Sequence, residues 1–271
     1  MSEKKSIKKI NGTKNNERAE QNVGTEKMRP IRIDQLLVQF GYAQSRERAK
    51  TLIKDGHVSV DGKPITKVSA QFIQDAAIEV AVKDIPWVSR AGLKLKKALE
   101  TWPINVANSV CLDVGSSTGG FTEVLLHEGA KKVYALDVGY NQLAQRLRND
   151  QRVIVMEGRN IRVAKSSWFT EQLDIITVDV SFISLKYVLP KVAELLRIGG
   201  KALVLIKPQF EVGKKLIRKG VVRDPLLHKK VIGILKTFAI KEGLTPVDMI
   251  ESPIEGVSGN KEFLFYLKKM M

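Results

Sequence analysis

Apolar residues fall into two regimes along this chain. From residue 108 onward, compact apolar runs alternate with stretches whose apolar positions recur every three or four residues. The runs at 110–114 (VCLDV), 132–138, 153–157, 174–180 and 202–207 read as strands, and 122–128, 141–149, 185–196 and 226–241 read as helices. Two further strands are expected at 246–251 and 262–267. Strands alternating with helices predict an α/β domain, a mostly parallel sheet with helices on both faces. The stretch from residue 31 to 68 has a different rhythm: helix, turn, helix, then a hairpin closed by Asp61-Gly62, with another strand at 77–82. In its second helix Ala49, Leu52 and Ile53 form an apolar sector, while Arg46, Lys50 and Lys54 recur every four residues on another. Ser45 is placed to cap that helix. The pattern divides the chain into a disordered basic tail (1–28), a small α+β domain (29–83), a linker containing Pro86 (84–87) and a large α/β domain (88–271). Ser89 is expected to cap the first helix of the large domain, whose apolar stripe is Leu95, Ala98, Leu99 and Trp102.

Charge changes the picture next. The 271 residues hold 45 Lys and Arg against 29 Asp and Glu, a formal net charge of +16. The excess is spread, about +3 in 1–28, +3 in 29–83 and +10 beyond. A field of that sign points to an anionic partner, most simply nucleic acid. One cysteine, Cys111, excludes a disulfide framework within the chain and a multi-cysteine zinc site. No apolar run is long enough to span a bilayer as a helix, and the polar N-terminus is no secretory signal, so a cytoplasmic setting is expected.

The stretch VCLDVGSSTGGFT carries the strongest chemical signal. A strand ending on Asp113 runs into a turn with Gly115, Gly119 and Gly120, and a helix follows. That crevice at the carboxyl end of a strand is where open α/β sheets hold a nucleotide-like ligand. The glycine spacing is not the GxGxxG of a pyrophosphate binder. S-adenosylmethionine, which has no phosphate, does not need that turn. On this reading Asp113 helps hold the cofactor's ammonium and Asp137, closing the next strand, accepts its ribose hydroxyls. Glu157 and Asn160 border the adenine, with a plain strand-end turn as the alternative for Glu157.

Four ionisable residues are expected at the same sheet edge: Asp179 and Lys207 at strand ends, Glu262 at the start of an antiparallel last strand, and Lys94 leaning in from the first helix. A ribose 2′-hydroxyl is a poor nucleophile and must lose its proton as a methyl group arrives. A lysine near a second lysine, partly desolvated, has its neutral form favoured and can serve as general base. Lys207 is the expected base, Lys94 its modulator, and Asp179 and Glu262 position the pair. Ordinary strand-end charges are the competing reading. Lys214, Lys215, Arg218, Lys219 and Arg223 crowd a loop beside this edge and are expected to grip RNA backbone.

Residues 31–83, through RIDQLL and SRERAKTLIKDGHVSVDGK, resemble an S4-type RNA-binding domain. The resemblance implies recognition of RNA shape by Arg32, Ser45, Arg46, Arg48, Lys50 and Lys54. Residues 88–271 resemble FtsJ-like ribose 2′-O-methyltransferases. With the preceding module they resemble the TlyA (haemolysin A) family through VSRAGLKL, LDVGSSTGGFTEVLL, ALDVGYNQL, VDVSFISL, VLIKPQFEVGK, KGVVRDP and SGNKEFLFYL. That resemblance implies a Rossmann-like fold with a seven-stranded, mostly parallel sheet whose last strand is antiparallel. It places a Lys-Asp-Lys-Glu tetrad on Lys94, Asp179, Lys207 and Glu262, and a cofactor loop on Asp113 to Phe121, including Ser116 and Ser117. The implied activity is methyl transfer from S-adenosylmethionine to cytidine ribose in ribosomal RNA. Two features depart from the family pattern: Ala91-Gly92 stands where two glycines are common, and the tail before Arg29 is not shared. Rival classes are a non-enzymatic RNA-binding assembly factor with a vestigial methyltransferase fold, and a membrane-lytic protein. Amino-group methylation of bases favours an N/D-P-P-Y/F stretch, where this chain has Asp179-Val-Ser-Phe182. Base C5 methylation needs a cysteine nucleophile, and Cys111 lies inside a strand.

Overall fold

The computed structural model describes residues 30–43, 45–81, 85–213, 216–217, 220–256 and 259–270. The chain divides into two compact units parted between Asp84 and Ile85. The 1–28 tail lies outside the described residues.

In the first unit, β1 (Ile31–Arg32) leads into α1 (Ile33–Gln39) and α2 (Arg46–Lys54), followed by β2 (Val58–Val60), β3 (Lys63–Pro64), β4 (Gln71–Phe72) and β5 (Ile78–Val80). The Ser45 hydroxyl accepts the Arg48 amide at 3.3 Å and starts α2 as the sequence predicts. Asp61, at φ +51, and Gly62 turn the hairpin of β2 and β3, and β5 pairs on the other side of β2. Ile33, Leu37, Ala49, Leu52, Ile53, Val58 and Val60 form this unit's core.

The second unit is built on one sheet. It opens with α3 (Ala91–Thr101), β6 (Val110–Val114), α4 (Gly120–His127), β7 (Lys132–Asp137), α5 (Gln145–Arg148) and β8 (Val153–Glu157). It continues with β9 (Leu173–Val178), α6 (Leu189–Leu195), β10 (Leu196–Ile206), α7 (Pro225–Lys241), β11 (Leu244–Glu251) and β12 (Phe263–Lys269). The strand order is β11-β12-β10-β9-β6-β7-β8. β12 runs antiparallel to both neighbours, and the other six share one direction. Every residue of β6 is buried, as expected of a central parallel strand covered on both faces. The sheet separates two apolar clusters, one around Leu112, Val178 and Phe265, the other around Leu95, Leu125 and Ile175.

Three expectations fail locally. Helix 141–149 shrinks to Gln145–Arg148, because Asn141 takes φ +54 and the amides of Asn141, Gln142 and Leu143 donate to the Glu157 carboxylate instead of entering a helix. The helix expected at 185–196 splits into a 3₁₀ turn (Leu185–Tyr187) and α6, with Pro190, which has no N–H to donate, in the first turn of α6. Ser89 does not cap α3: the residue before the helix is Arg90, and no side chain bonds the helix start.

Candidate active site

The parallel strands β6, β7, β9 and β10 end at one edge, and β12 begins there. At the end of β6, Asp113 is fully buried, accepting the Thr122 hydroxyl at 2.7 Å and the Thr177 hydroxyl at 2.9 Å. The expectation that Asp113 meets a ligand ammonium therefore gives way to an internal role. It pins the start of α4 to β9 from beneath the glycine turn. Burial pushes its pKa up to about 6, against the lowering effect of the two hydroxyls.

Above it, Gly115 has φ +83, and a Cβ there would lie 2.4 Å from the Asp179 carbonyl oxygen. Only glycine allows β6 and the end of β9 to meet this closely. The Ser116 hydroxyl is buried without a hydrogen-bond partner. The Ser117 amide and the Gly139 amide each donate to Asp137, at 2.8 Å. A Cβ on Gly120 would lie 2.3 Å from the Ser89 hydroxyl, and Phe121 is a core side chain, so both pack α4 against neighbouring structure. Glu157 accepts three backbone amides and the Arg148 guanidinium, which hold its carboxyl down to about 2, with the arginine contributing most. It fixes the 141–143 loop. The Asn160 side chain accepts the Arg162 amide at 3.0 Å and starts a 3₁₀ turn.

The four tetrad positions meet. Lys94 Nζ, on α3, lies 2.6 Å from Glu262 Oε2 and 3.9 Å from Asp179 Oδ2. Lys207 Nζ lies 2.6 Å from Asp179 Oδ1 and donates to the Ser181 hydroxyl at 2.9 Å. The order Lys207–Asp179–Lys94–Glu262 is a chain in which lysines and carboxylates alternate, largely buried along its length. A Cβ on Gly256 would fall 2.1 Å from Glu262 Oε1, so the loop before β12 must have glycine there to admit the carboxylate.

Several participants escape sequence reasoning. Ser181 touches Lys207. Phe182 stands 91% exposed at φ +64, its ring 5.1 Å from that of Phe210. A large side chain at positive φ on such a rim is stored strain of the kind found at functional sites. Glu211 accepts the Ser184 hydroxyl at 2.6 Å and the Leu185 amide at 2.8 Å, tying the loop after β9 to the turn after β10. Asn260 bonds the Val222 amide and the Gly220 carbonyl. The signal for these was present only as the family-like runs VSFISL, KPQFE and GN, without spacing that names a contact.

Of the residues expected to grip RNA, Lys214, Lys215, Arg218 and Lys219 lie outside the described residues, and Arg223 is exposed just before α7. In the first unit Arg46 and Arg32 both reach the buried Asp34, Lys50 pairs with Glu47, Arg48 is half-buried on α2 and Lys54 is exposed at its end. Ser45 is occupied as the helix cap. Among the described residues no cluster of metal-ligand side chains occurs, and no helix is long and apolar enough to cross a membrane.

Strand order, glycine turn and charge chain together define a Rossmann-like methyltransferase. Residues 87–269 match the FtsJ-like methyltransferase family and residues 31–71 the S4 domain. The chain is 43% identical over 242 residues to the 16S/23S rRNA (cytidine-2′-O)-methyltransferase TlyA of Mycobacterium tuberculosis, spanning 89% of this chain and 90% of that one. It is 42% identical over 236 residues to Hemolysin A of Brachyspira hyodysenteriae, spanning 86% and 98%. A solved structure from Streptococcus thermophilus named as a hemolysin aligns with a TM-score of 0.72 at 40% identity, over 90% of each chain. The chain belongs to the TlyA/hemolysin A family, in which an S4 domain precedes an FtsJ-like methyltransferase.

Proposed function

We propose that this protein transfers a methyl group from S-adenosylmethionine to the ribose 2′-hydroxyl of cytidine in ribosomal RNA. The observation that carries the reading is the Lys207–Asp179–Lys94–Glu262 chain at the carboxyl edge of the sheet, touching the glycine turn through Asp179. The turn suits the cofactor. It offers a buried, unpartnered Ser116 hydroxyl and a backbone that Gly115 leaves uncovered, and Asp137 stands at the end of the adjacent strand. When bound, the cofactor supplies an electrophilic methyl group.

The chain's own residues do the rest. Lys207 in its neutral form takes the 2′-hydroxyl proton at Nζ, and the Ser181 hydroxyl, 2.9 Å from that atom, marks where a hydroxyl oxygen can rest against it. Asp179 divides its two oxygens between the lysines and aims Lys207. Glu262 holds Lys94 beside Asp179, so a cation stands next to the neutral Lys207. Phe182 offers an exposed ring for the target base once it leaves its stack. The first unit supplies RNA affinity through Arg32, Arg46, Arg48, Lys50 and Lys54, and the basic residues Lys214, Lys215, Arg218, Lys219 and Arg223 add contacts to the RNA backbone.

The test is methyl incorporation into ribosomal subunits from labelled S-adenosylmethionine. Lys207→Ala should lose roughly 10²–10⁴-fold in rate, the usual worth of a general base, while still binding cofactor. Equal incorporation by variant and parent would leave only the RNA-binding assembly factor.

A further inference from the structure

Asp34 is a buried acid held between two arginines. It is fully enclosed, yet it meets two guanidiniums. Arg32 donates Nε to Oδ1 at 2.9 Å and Nη2 to Oδ2 at 3.3 Å, and Arg46 donates Nε at 3.2 Å and Nη2 at 2.9 Å to Oδ2. Both arginines use the same edge of the fork on the acid, so the Nη1 side of each is directed away from it. Their side chains remain 37% and 50% exposed. Arg32 comes from β1 and Arg46 from the first turn of α2, so a single carboxylate fixes two cations from separate elements. By charge alone this is a poor arrangement for holding RNA, because the acid cancels one of the two positive charges. Its benefit is order. Arginine side chains carry a large rotamer entropy, and a phosphate that must immobilise two of them binds more weakly than one that meets them already in place.

We propose that Asp34 is a positioning residue that holds Arg32 and Arg46 as one preformed double fork for phosphodiester groups of RNA. The proposal rests on the RNA-binding reading of the first unit. It predicts a sign opposite to electrostatics. Asp34→Asn keeps the shape and makes the face more positive, so a field effect alone tightens binding. Loss of preorganisation weakens it, by about tenfold for two side chains that must now be ordered on binding.

The assay is filter binding of the full chain to purified 23S ribosomal RNA across a salt series. Asp34→Asn is expected to shift the plot of log affinity against log salt downward without flattening it, since the same phosphates are contacted in the end. A merely structural role would flatten the slope, because contacts themselves would be lost. Arg46→Lys keeps the charge and leaves Asp34 paired but removes the fork, and it should give the same parallel loss even if Asp34→Asn melts the unit. Unchanged or tighter binding by a folded Asp34→Asn, a flattened slope, or parent-like binding by Arg46→Lys overturns the proposal. The double variant Arg32→Ala/Arg46→Ala separates the two ideas: if it binds like the parent, the RNA-binding reading of this face fails, not just the role of Asp34.

Discussion

Replacing Lys94 with methionine should cost the protein more stability than replacing Lys94 and Glu262 together. The two groups are 2.6 Å apart, their side chains 9% and 3% exposed, and they join α3 to the start of β12 across 168 positions of sequence. Methionine fills the aliphatic volume of the lysine but leaves Glu262 enclosed without its cation. Asp179 is not orphaned in the same way, because Lys207 stays 2.6 Å from its other oxygen. Breaking one side of a buried ion pair typically costs about 3–5 kcal/mol, whereas replacing both sides is often near neutral. For a unit of this size 1 kcal/mol moves the melting temperature by roughly 2–4 °C, so Lys94→Met should melt about 6–20 °C below the parent. Lys94→Met/Glu262→Gln should recover most of that loss. Methyl transfer should be lost in both, which separates the structural cost from the catalytic one. Urea or thermal unfolding of the full chain, followed alongside methyl incorporation, gives both readouts. A single variant as stable as the parent, or a double variant no better than the single, would refute the coupling that the geometry implies.

Three other outcomes follow from the same edge. Asp113 has a pKa near 6 in the fold against an ordinary 3.8, so between those values the folded chain holds a proton that the unfolded chain has lost. Stability is then lost as pH rises through that window, by an order of 3 kcal/mol, and Asp113→Asn should gain on the parent between pH 4 and pH 8; equal unfolding midpoint differences at both pH values would discount this. Phe182→Gly relieves the positive φ and should leave stability equal or higher while weakening RNA turnover by roughly 5–150-fold, the range for one lost base stack; unimpaired turnover would remove the ring from the site. Glu211→Ala leaves the Ser184 hydroxyl and Leu185 amide without their acceptor at a cost of about 1–3 kcal/mol, and methyl transfer should fall while cofactor binding, measured by calorimetry, holds; intact transfer would show that the two loops keep their places without it.

The large-scale fold was legible because its signals are cumulative. Strand-length apolar runs at 110–114 and 153–157 match the observed strands, and the alternation with helices forced a parallel sheet. Local exceptions were invisible for a physical reason: they depend on partners distant in sequence. Nothing near Asn141 announces that Glu157 will take three of its neighbouring amides, and nothing near Asp113 reveals two threonine hydroxyls that enclose it. The glycines show the same split. Gly115 needs its conformation for the crevice, which the motif suggests, whereas Gly120 and Gly256 exist to admit Ser89 and Glu262, which only coordinates display. Phe182 was legible as a residue type in the wrong place for base-amino chemistry, but its strain and exposure were not.

The insertion of β12 between β10 and β11 has a consequence for the order in which the charge chain is completed. A polypeptide leaves the ribosome from its N-terminus, so α3, β6, β9 and β10 are available long before residue 262 has cleared the exit tunnel. Until then the edge of β10 is unzipped, Lys94 lacks its closest counter-charge, and three quarters of the charge chain stand without the fourth member. The charge chain is thus closed last by Glu262, after every other member of it has been made.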